Sequence, residues 1–347
     1  MKFGPLPPRE AIGAMAAHSL RLPGITIKKG ASITAEDADK LDAAGVAQVT
    51  AVRLEPGDVA EDEAAARLAQ ATAGEGVRID PPFTGRANLF AEHAGVLEVD
   101  RAAIDRINMI DEAITFATLE QFKPVVAGEM IATVKIITYA ISEGRLAQAE
   151  AVARGVKGAV RIAPYMLSRI GVISTLTNAL KPTIVDKTLK ILDKRIAPAG
   201  AAVVDEARAP HETGALAREL EQIAQGDAEL IIVFGASAVS DRRDVIPAAI
   251  TAVGGRIDHF GMPVDPGNLL LVGHIGDKPV IGAPGCARSP KENGFDWILH
   301  RMLAGLPVTR TDIMGLGVGG LLMEIVSRPQ PRSGEESADD DGDDAAP

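Results

Sequence analysis

The amino-acid sequence predicts an α/β protein whose second half forms a mostly parallel sheet. From residue 169 to residue 234, short segments rich in Val and Ile alternate with longer segments of helical periodicity, which is the pattern of βαβ units. Residues 230–234 are continuously apolar, as in a strand that is buried on both faces of a parallel sheet. Hydrophobic residues make up 46% of the chain and aromatic residues only 3%, so Val, Ile, Leu and Ala must fill the core.

The elements of this α/β part follow one another along the chain. We expect strands at 169–175, 201–204 and 229–234, with helices at 184–196 and 212–225 between them. A further helix is predicted from near Pro247. Residues 269–275 and 278–282 then form a hairpin around Gly276 and Asp277, and a turn at 283–287 precedes a helix that contains Trp297. Right-handed crossovers would place the successive strands in one sheet.

The first half of the chain predicts small helices and strands in alternation. Thr34 and Asp37 occupy the N-cap and N3 positions of a capping box, and Gly45 stands where that helix should end. Residues 9–20 and 143–158 are also predicted as helices. Residues 114–119 and 129–137 are predicted as strands, so the first half is an α+β domain.

The charge and composition of the chain predict which classes of partner it does not bind. The net charge of −11 includes seven acidic residues after Arg332, which leaves −4 for the rest of the 347 residues. Because such a globule has no basic surface for a polyanion, we expect no nucleic-acid partner. No segment approaches the roughly 18 apolar residues of a membrane span, so no membrane partner is expected. The N-terminus lacks a secretory h-region and the chain has one cysteine, which predicts a cytoplasmic protein.

Polar residues follow the strand at 229–234 and predict a ligand site. A small-residue turn, Gly235-Ala236-Ser237, comes first, and Asp241 and Asp244 follow before the next helix. Ligands bind outside the carboxyl ends of parallel strands, and backbone N–H groups beside carboxylates suit a phosphate with its cation. The structural alternative is that Asp241 caps the helix near Pro247 or pairs with Arg242.

The glycines at 315–320 match the spacing of a dinucleotide-binding fingerprint. The residues after them leave no room for a βαβ unit before Pro329 and Pro331, so we reject that interpretation. From Ser333 onwards the acidic tail lacks apolar residues and is predicted to be disordered.

Residues 170–306 resemble the molybdopterin-binding domain shared by molybdopterin adenylyltransferases, molybdopterin molybdotransferases and the competence-damage proteins. The residues that carry the resemblance are Phe234-Gly235-Ala236-Ser237, Ser240-Asp241-Arg242-Arg243-Asp244, Asp265-Pro266-Gly267 and Pro284-Gly285-Cys286-Ala287. Ile173-Ser174-Thr175-Leu176-Thr177-Asn178 stands where the family has its first-strand signature. The whole chain most resembles the proteins in which this module is fused to a nucleotidyltransferase domain.

The resemblance implies a three-layer α/β/α domain with a mostly parallel sheet, preceded by a smaller α+β N-terminal domain. It implies a molybdopterin site formed by Gly235, Ala236, Ser237, Pro284, Gly285 and Arg288. It also implies catalytic roles for Asp241 and Asp244, and Mg²⁺ binding by Asp186, Asp241 and Asp244. The family's lysine in the Lys-Pro-Gly turn is Asp265 here, and the asparagine of the last turn is Cys286.

The function implied is binding of molybdopterin or its nucleotide conjugate in molybdenum cofactor biosynthesis. The resemblance favours a transferase that performs Mg²⁺-dependent nucleotidyl transfer or molybdenum insertion. Two alternatives stay open: a noncatalytic carrier that passes the cofactor to a nucleotidyltransferase or a molybdoenzyme, and a nucleotide-pyrophosphate hydrolase of the competence-damage type. Assembly of identical copies is a further open possibility.

The same patterns set the expected domain boundaries. We expect an N-terminal α+β domain with a linker helix at 1–165 and the molybdopterin-binding domain at 166–310. A closing segment at 311–332 and the disordered acidic tail at 333–347 complete the chain.

Overall fold

The computed structural model describes residues 1–178 and 180–322, and the chain divides into two compact units. The first unit comprises Met1–Ser168, Lys194–Ala202 and Leu299–Pro307. The second unit comprises Arg169–Asp193, Val203–Ile298 and the chain from Val308 onwards.

The first unit is an assembly of small sheets and four helices in its described part. Its strands are β1 (Lys2–Leu6), β2 (Met15–Ala16), β3 (Leu20–Leu22), β4 (Ile25–Ile27), β5 (Val49–Arg53), β6 (Asp58–Ala60), β7 (Val77–Ile79), β8 (Arg86–Ala91), β9 (Gly95–Val99), β10 (Ile114–Thr118), β11 (Pro124–Val125), β12 (Met130–Ile136), β13 (Ala140–Ser142) and β14 (Val160–Pro164). Its helices are α1 (Ala35–Ala43), α2 (Glu61–Thr72), α3 (Arg101–Asn108) and α4 (Glu143–Arg154). The sheets have the orders β1-β5-β2, β10-β12-β8-β7, β11-β9-β14, β13-β6 and β3-β4. The strands predicted at 114–119 and 129–137 are confirmed as the antiparallel pair β10 and β12.

The main core of the first unit forms where α2 and α4 pack against its strands. On α2, Ala65 and Leu68 lie one turn apart and are fully buried. They belong to one cluster with Leu89 of β8, Ile136 of β12 and Leu146 of α4. Each buried Leu or Ile contributes about 1.5–3 kcal/mol, so this shared apolar surface stabilises the unit.

The helix α1 begins at the capping box that the sequence predicts. Thr34 Oγ1 accepts from the Asp37 N–H at 3.1 Å, and Asp37 Oδ2 accepts from the Thr34 N–H at 3.0 Å. Gly45 follows the helix at φ +73°, a left-handed conformation in which glycine has no Cβ penalty. The predicted start and end of this helix are confirmed.

The helix predicted at 9–20 is wrong. The segment contains turns and the strand β2, and Gly13 has φ +78°. Met15 pairs with Val52 of β5 and also bridges to Ser32. The alanine spacing fits a helix, but hydrogen bonds to strands far along the chain decide the conformation.

The second unit contains one six-stranded sheet and the helices around it. Its strands are β15 (Arg169–Leu176), β16 (Ala202–Pro210), β17 (Leu230–Phe234), β18 (Arg256–Phe260), β19 (Leu271–Ile275) and β20 (Lys278–Ala283). The remaining helices are α5 (Pro182–Ile196), α6 (Thr213–Gln225), α7 (Val245–Ala252), α8 (Gly294–Leu303) and α9 (Arg310–Met314). The residues of α5 from Lys194 and of α8 from Leu299, which include His300, belong to the first unit. The order in the sheet is β16-β15-β17-β20-β19-β18.

The pairing of these strands confirms the predicted fold class. β17 lies between β15 and β20 and is parallel to both, and every residue of β17 is buried. β19 and β20 form the predicted antiparallel hairpin, in which Ile275 pairs with Lys278. The second unit is therefore an α/β domain with a mostly parallel sheet.

The parallel strands carry their following residues to one edge of the sheet. β15 ends at Leu176, β17 at Phe234 and β20 at Ala283. Because parallel strands have their carboxyl ends at the same edge, the loops after these strands are neighbours. This edge is where the candidate site residues lie.

The described chain ends shortly after the glycine-rich segment. Gly315–Gly317 forms a short 3₁₀ turn directly after α9, which agrees with the rejection of a dinucleotide fingerprint there. The acidic tail at 333–347 and the end of the closing segment, from residue 323, lie outside the described residues. No helix in the described part of the chain is long and apolar enough to cross a membrane.

Candidate functional site

The turn at 235–237 follows β17 directly, and its own packing requires a glycine. A Cβ on Gly235 would lie 2.5 Å from the Ser237 carbonyl oxygen and 2.9 Å from Ile246 Cδ1. The carbonyl belongs to the backbone and cannot move away without opening the turn. Ala236 is half-buried and Ser237 is exposed, so the turn presents Ser237 to solvent at the edge of the sheet.

A chain of hydrogen bonds joins this turn to the ends of β15 and β16. The Ala236 N–H donates to Thr175 Oγ1 at 2.8 Å. Thr175 Oγ1 lies 2.8 Å from His211 Nδ1, and His211 Nε2 lies 2.9 Å from Ser237 Oγ. Thr175 is fully buried and His211 is half-buried. The network therefore runs from the sheet interior to the exposed hydroxyl of Ser237.

Sequence reasoning did not single out His211. It is 36 residues from Thr175 and 26 residues from Ser237 along the chain. The available signal was its position directly after a strand of the predicted parallel sheet, where functional side chains collect. The strand was predicted at 201–204, but β16 continues to Pro210. With the predicted bounds, His211 did not directly follow a strand.

Arg288 contacts the same turn from the loop after β20. Its Nη2 donates to the Gly235 carbonyl at 2.8 Å, and its Nη1 donates to Thr188 Oγ1 at 3.0 Å. The guanidinium carbon is 5.5 Å from the centroid of the Phe234 ring. Burial lowers the pKa of Arg288. Within the described residues its hydrogen-bond acceptors are all neutral, so the half-buried cation has no carboxylate partner there.

The backbone after β20 places Arg288 and leaves open space beside it. Pro284 is buried and precedes a short 3₁₀ helix, Gly285–Arg288. A Cβ built on Gly285 meets no heavy atom within 4 Å. In contrast to Gly235, Gly285 is not required by the packing of the protein itself. A side chain at this position would project into the space in front of the loop.

The acidic residues of the loop after the turn already have partners. Asp241 Oδ1 lies 2.7 Å from Arg243 Nε, and this ion pair lowers the pKa of Asp241. Asp244 is the N-cap of α7: its Oδ1 accepts from the Val245 N–H at 2.7 Å and its Oδ2 from the Ser240 N–H at 3.1 Å. The structural alternative for Asp241 is therefore wrong in both parts, because Asp244 caps the helix and Arg243 is the ion-pair partner.

The carboxylates predicted to bind Mg²⁺ do not form a common ligand set. Asp186 lies on α5, and its Oδ1 is 2.7 Å from Arg208 Nη2. Across residues 1–178 and 180–322, no group of three or more His, Cys, Asp or Glu side chains is arranged to hold a metal ion. Asp186, Asp241 and Asp244 each bind a different protein group. Their binding of the ion stays a prediction.

Solved structures show only weak overall similarity to this chain. Molybdenum cofactor biosynthesis protein B is 15% identical over 40% of this chain and 95% of its own, with a TM-score of 0.30. The molybdopterin biosynthesis moea protein from Pyrococcus horikosii is 14% identical over 88% of this chain and 75% of its own, with a TM-score of 0.30. NadC from Streptococcus pyogenes is 15% identical over 55% of this chain and 78% of its own, with a TM-score of 0.16. Superpositions at this level support no argument about function.

Comparison with family models is more specific for one part of the chain. No curated protein matches the sequence. Residues 5–53 match a domain of unknown function (DUF8806). Residues 171–305, which contain most of β15, the strands β16 to β20 and every predicted site residue, match the family described as "Probable molybdopterin binding domain". This match confirms the resemblance seen in the sequence: residues 171–305 are similar to the molybdopterin-binding domain of molybdenum cofactor biosynthesis proteins.

Proposed function

We propose that the second unit binds molybdopterin or its nucleotide conjugate at the carboxyl edge of its sheet, and that the chain thereby acts in molybdenum cofactor biosynthesis. The turn at 235–237 and the loop at 284–288 would form the two walls of the site. The family match over residues 171–305 supports the choice of ligand. Gly235, Ala236, Ser237, Pro284, Gly285 and Arg288 are the proposed binding residues.

The main support for this proposal is that Arg288 is half-buried and donates to neutral acceptors in the described residues. A half-buried guanidinium loses hydration, and that cost is offset when an anion pairs with it. Among residues 1–178 and 180–322, the acceptors of Arg288 are the Gly235 carbonyl and the Thr188 hydroxyl, both of which are neutral. Arginine binds phosphate oxygens through two N–H groups at once. A phosphate of the pterin or of its nucleotide conjugate supplies the missing charge.

Gly285 marks where the ligand would approach the backbone. The open space at its Cβ position allows a phosphate or the pterin ring to come close to the loop. A large side chain at this position would occupy the same space without disturbing the folded protein. Gly285 is therefore a better position for a test than Gly235, whose substitution would distort the turn itself.

The test is anaerobic binding of molybdopterin, with the retained ligand measured by fluorescence of its oxidised pterin. Arg288→Gln should weaken binding about 10- to 100-fold, since a hydrogen bond to a charged group contributes about 1.5–3 kcal/mol. Gly285→Leu should weaken it by at least about tenfold. Gly144→Leu is the matched control, because Gly144 lies on α4 and also has nothing within 4 Å of its Cβ position. Unchanged affinity in folded Arg288→Gln and Gly285→Leu would refute the site.

The carrier alternative is supported by the state of the acidic residues. Asp241 is paired with Arg243 and Asp244 caps α7, and Asp265 replaces a phosphate-facing lysine of the family. In a carrier, binding would occur without turnover. Incubation with ATP, Mg²⁺ and bound molybdopterin separates the two: release of pyrophosphate supports a nucleotidyltransferase, and unchanged nucleotide supports the carrier.

A further inference from the structure

We propose that His211 is a positioning residue that holds the Ser237 hydroxyl as a hydrogen-bond donor to an acceptor atom of the ligand, such as a phosphate oxygen. The inference rests on the proposed function for the identity of the ligand. Its geometry rests on the hydrogen bonds that join Thr175, His211 and Ser237.

The direction of the first hydrogen bond is set by the backbone. The N–H of Ala236 can only donate, so Thr175 Oγ1 accepts from it at 2.8 Å. Thr175 is fully buried, and its hydroxyl proton needs an acceptor. Within the described residues, His211 Nδ1 is the one remaining partner of this hydroxyl. The Thr175 O–H therefore donates to Nδ1.

This assignment determines the tautomer of the imidazole. A neutral histidine with an accepting Nδ1 carries its proton on Nε2. The opposite tautomer would direct an N–H at Thr175 and leave the buried hydroxyl proton without an acceptor, which is the more costly arrangement. His211 Nε2–H thus donates to Ser237 Oγ at 2.9 Å.

The last group in this series of hydrogen bonds is the hydroxyl of Ser237. Ser237 is exposed, and its side chain has no other hydrogen-bond partner in the described part of the protein. Because its oxygen already accepts from His211, the hydroxyl is oriented to donate outward, to the solvent-facing side of the turn. A ligand atom bound there must be an acceptor.

The Arg288 guanidinium places a positive charge near the turn that carries this donor. Its guanidinium contacts the carbonyl of Gly235, two residues before Ser237. The turn at 235–237 and the loop at 284–288 therefore present a hydroxyl donor and a cation to the same edge of the sheet. This combination favours phosphate oxygens and disfavours ammonium or amide N–H groups.

The tautomer can be measured without any ligand. In ¹⁵N-labelled protein at pH 8, the nitrogen chemical shifts of His211 should show a protonated Nε2 and an unprotonated Nδ1. Thr175→Val removes the donor to Nδ1, so the ¹⁵N shift of Nδ1 should move, whereas Thr175→Ser should retain the wild-type spectrum. A protonated Nδ1 in the wild-type protein would overturn the proposal.

Binding of inorganic pyrophosphate, measured by calorimetry, tests whether His211 acts through Ser237. Ser237→Ala and His211→Leu should each weaken binding about 5- to 10-fold, the contribution of one hydrogen bond. The double variant should bind no more weakly than either single variant. His211→Gln, whose amide N–H can reach Ser237, should recover most of the affinity. His274→Leu, a histidine on β19, is the matched control and should bind as wild type.

The outcomes separate this inference from the proposed function. Losses that multiply in the double variant, or wild-type affinity in His211→Leu, would overturn the role of His211 even if molybdopterin binds. If molybdopterin fails to bind while the tautomer and the pyrophosphate results are as expected, the ligand assignment is wrong and the positioning role stands.

Discussion

His300 on α8 is a buried histidine whose protonation should govern the acid stability of the first unit. Its side chain is 7% exposed, and its Nδ1 lies 2.8 Å from the Tyr165 hydroxyl. Burial, with a smaller repulsion from Arg195, lowers the pKa of His300 from 6.5 to about 4. Burial also raises the pKa of Tyr165 to about 12, so the phenol keeps its proton and can donate to the neutral imidazole.

The size of the effect follows from proton linkage. Between pH 6.5 and pH 4 the unfolded chain binds a proton at His300 and the folded protein does not, so acid favours unfolding. This stability is fully present above the unfolded pKa and is lost as the pH falls towards the folded pKa. With pKa values of 6.5 and about 4, lowering the pH from 7 to 5 should reduce the free energy of unfolding by about 2 kcal/mol through this residue alone.

Urea unfolding at pH 7 and pH 5 measures this loss in wild type, His300→Gln and His18→Gln. Glutamine cannot titrate, so His300→Gln should lose about 2 kcal/mol less than wild type between the two pH values. His18 is exposed, so His18→Gln should behave like wild type. Equal pH dependence in wild type and His300→Gln, or an NMR titration of the His300 ring centred near pH 6.5, would refute the reasoning.

Two further substitutions test packing and charge in the two units. Glu150 is buried and lies 3.0 Å from Arg67 Nε, whose hydrogen bond lowers the pKa of Glu150. Glu150→Gln should reduce stability by about 1–2 kcal/mol at pH 7. A lowered folded pKa gives stability that is fully present above the unfolded value of 4.5 and is lost as the pH falls through the folded pKa. The deficit should therefore shrink at pH 3, and a deficit of the same size there would contradict the ion-pair explanation. In the second unit, a Cβ on Gly171 would lie 2.4 Å from Ile223 Cγ2, so Gly171→Ala should reduce stability by about 1–3 kcal/mol. Thermal unfolding of Gly171→Ala combined with Ile223→Ala should show a loss smaller than the sum, and strict additivity would rule out this contact as the cause.

Local chemistry makes several elements predictable from the sequence. The capping box at Thr34 and Asp37 satisfies backbone groups within one turn of α1, so its free energy does not depend on the rest of the fold. The apolar run of β17 is buried throughout, as its composition requires. The hairpin around Gly276 also formed as predicted, since two neighbouring strands and a turn are contiguous in sequence.

The predictions from sequence were wrong where residues far along the chain decide the local conformation. Residues 9–20 have the alanine spacing of a helix, yet Met15 pairs with Val52. Asp241 and Asp244 are both plausible caps for α7, and the path of the loop selects Asp244. These choices depend on backbone positions that helix propensity and spacing do not contain.

The sequence by itself determined the fold class of the second unit, its resemblance to molybdopterin-binding domains and the place of the turn at 235–237 after a buried strand. Apolar periodicity and glycine positions are local properties, and they are read directly from the chain. The tertiary structure alone decided that His211 lies between Thr175 and Ser237, and that Arg288 reaches the Gly235 carbonyl across 53 residues of sequence. The physical reason is that parallel strands bring their carboxyl ends together only after the helices between them have packed, so contacts at that edge depend on the folded sheet.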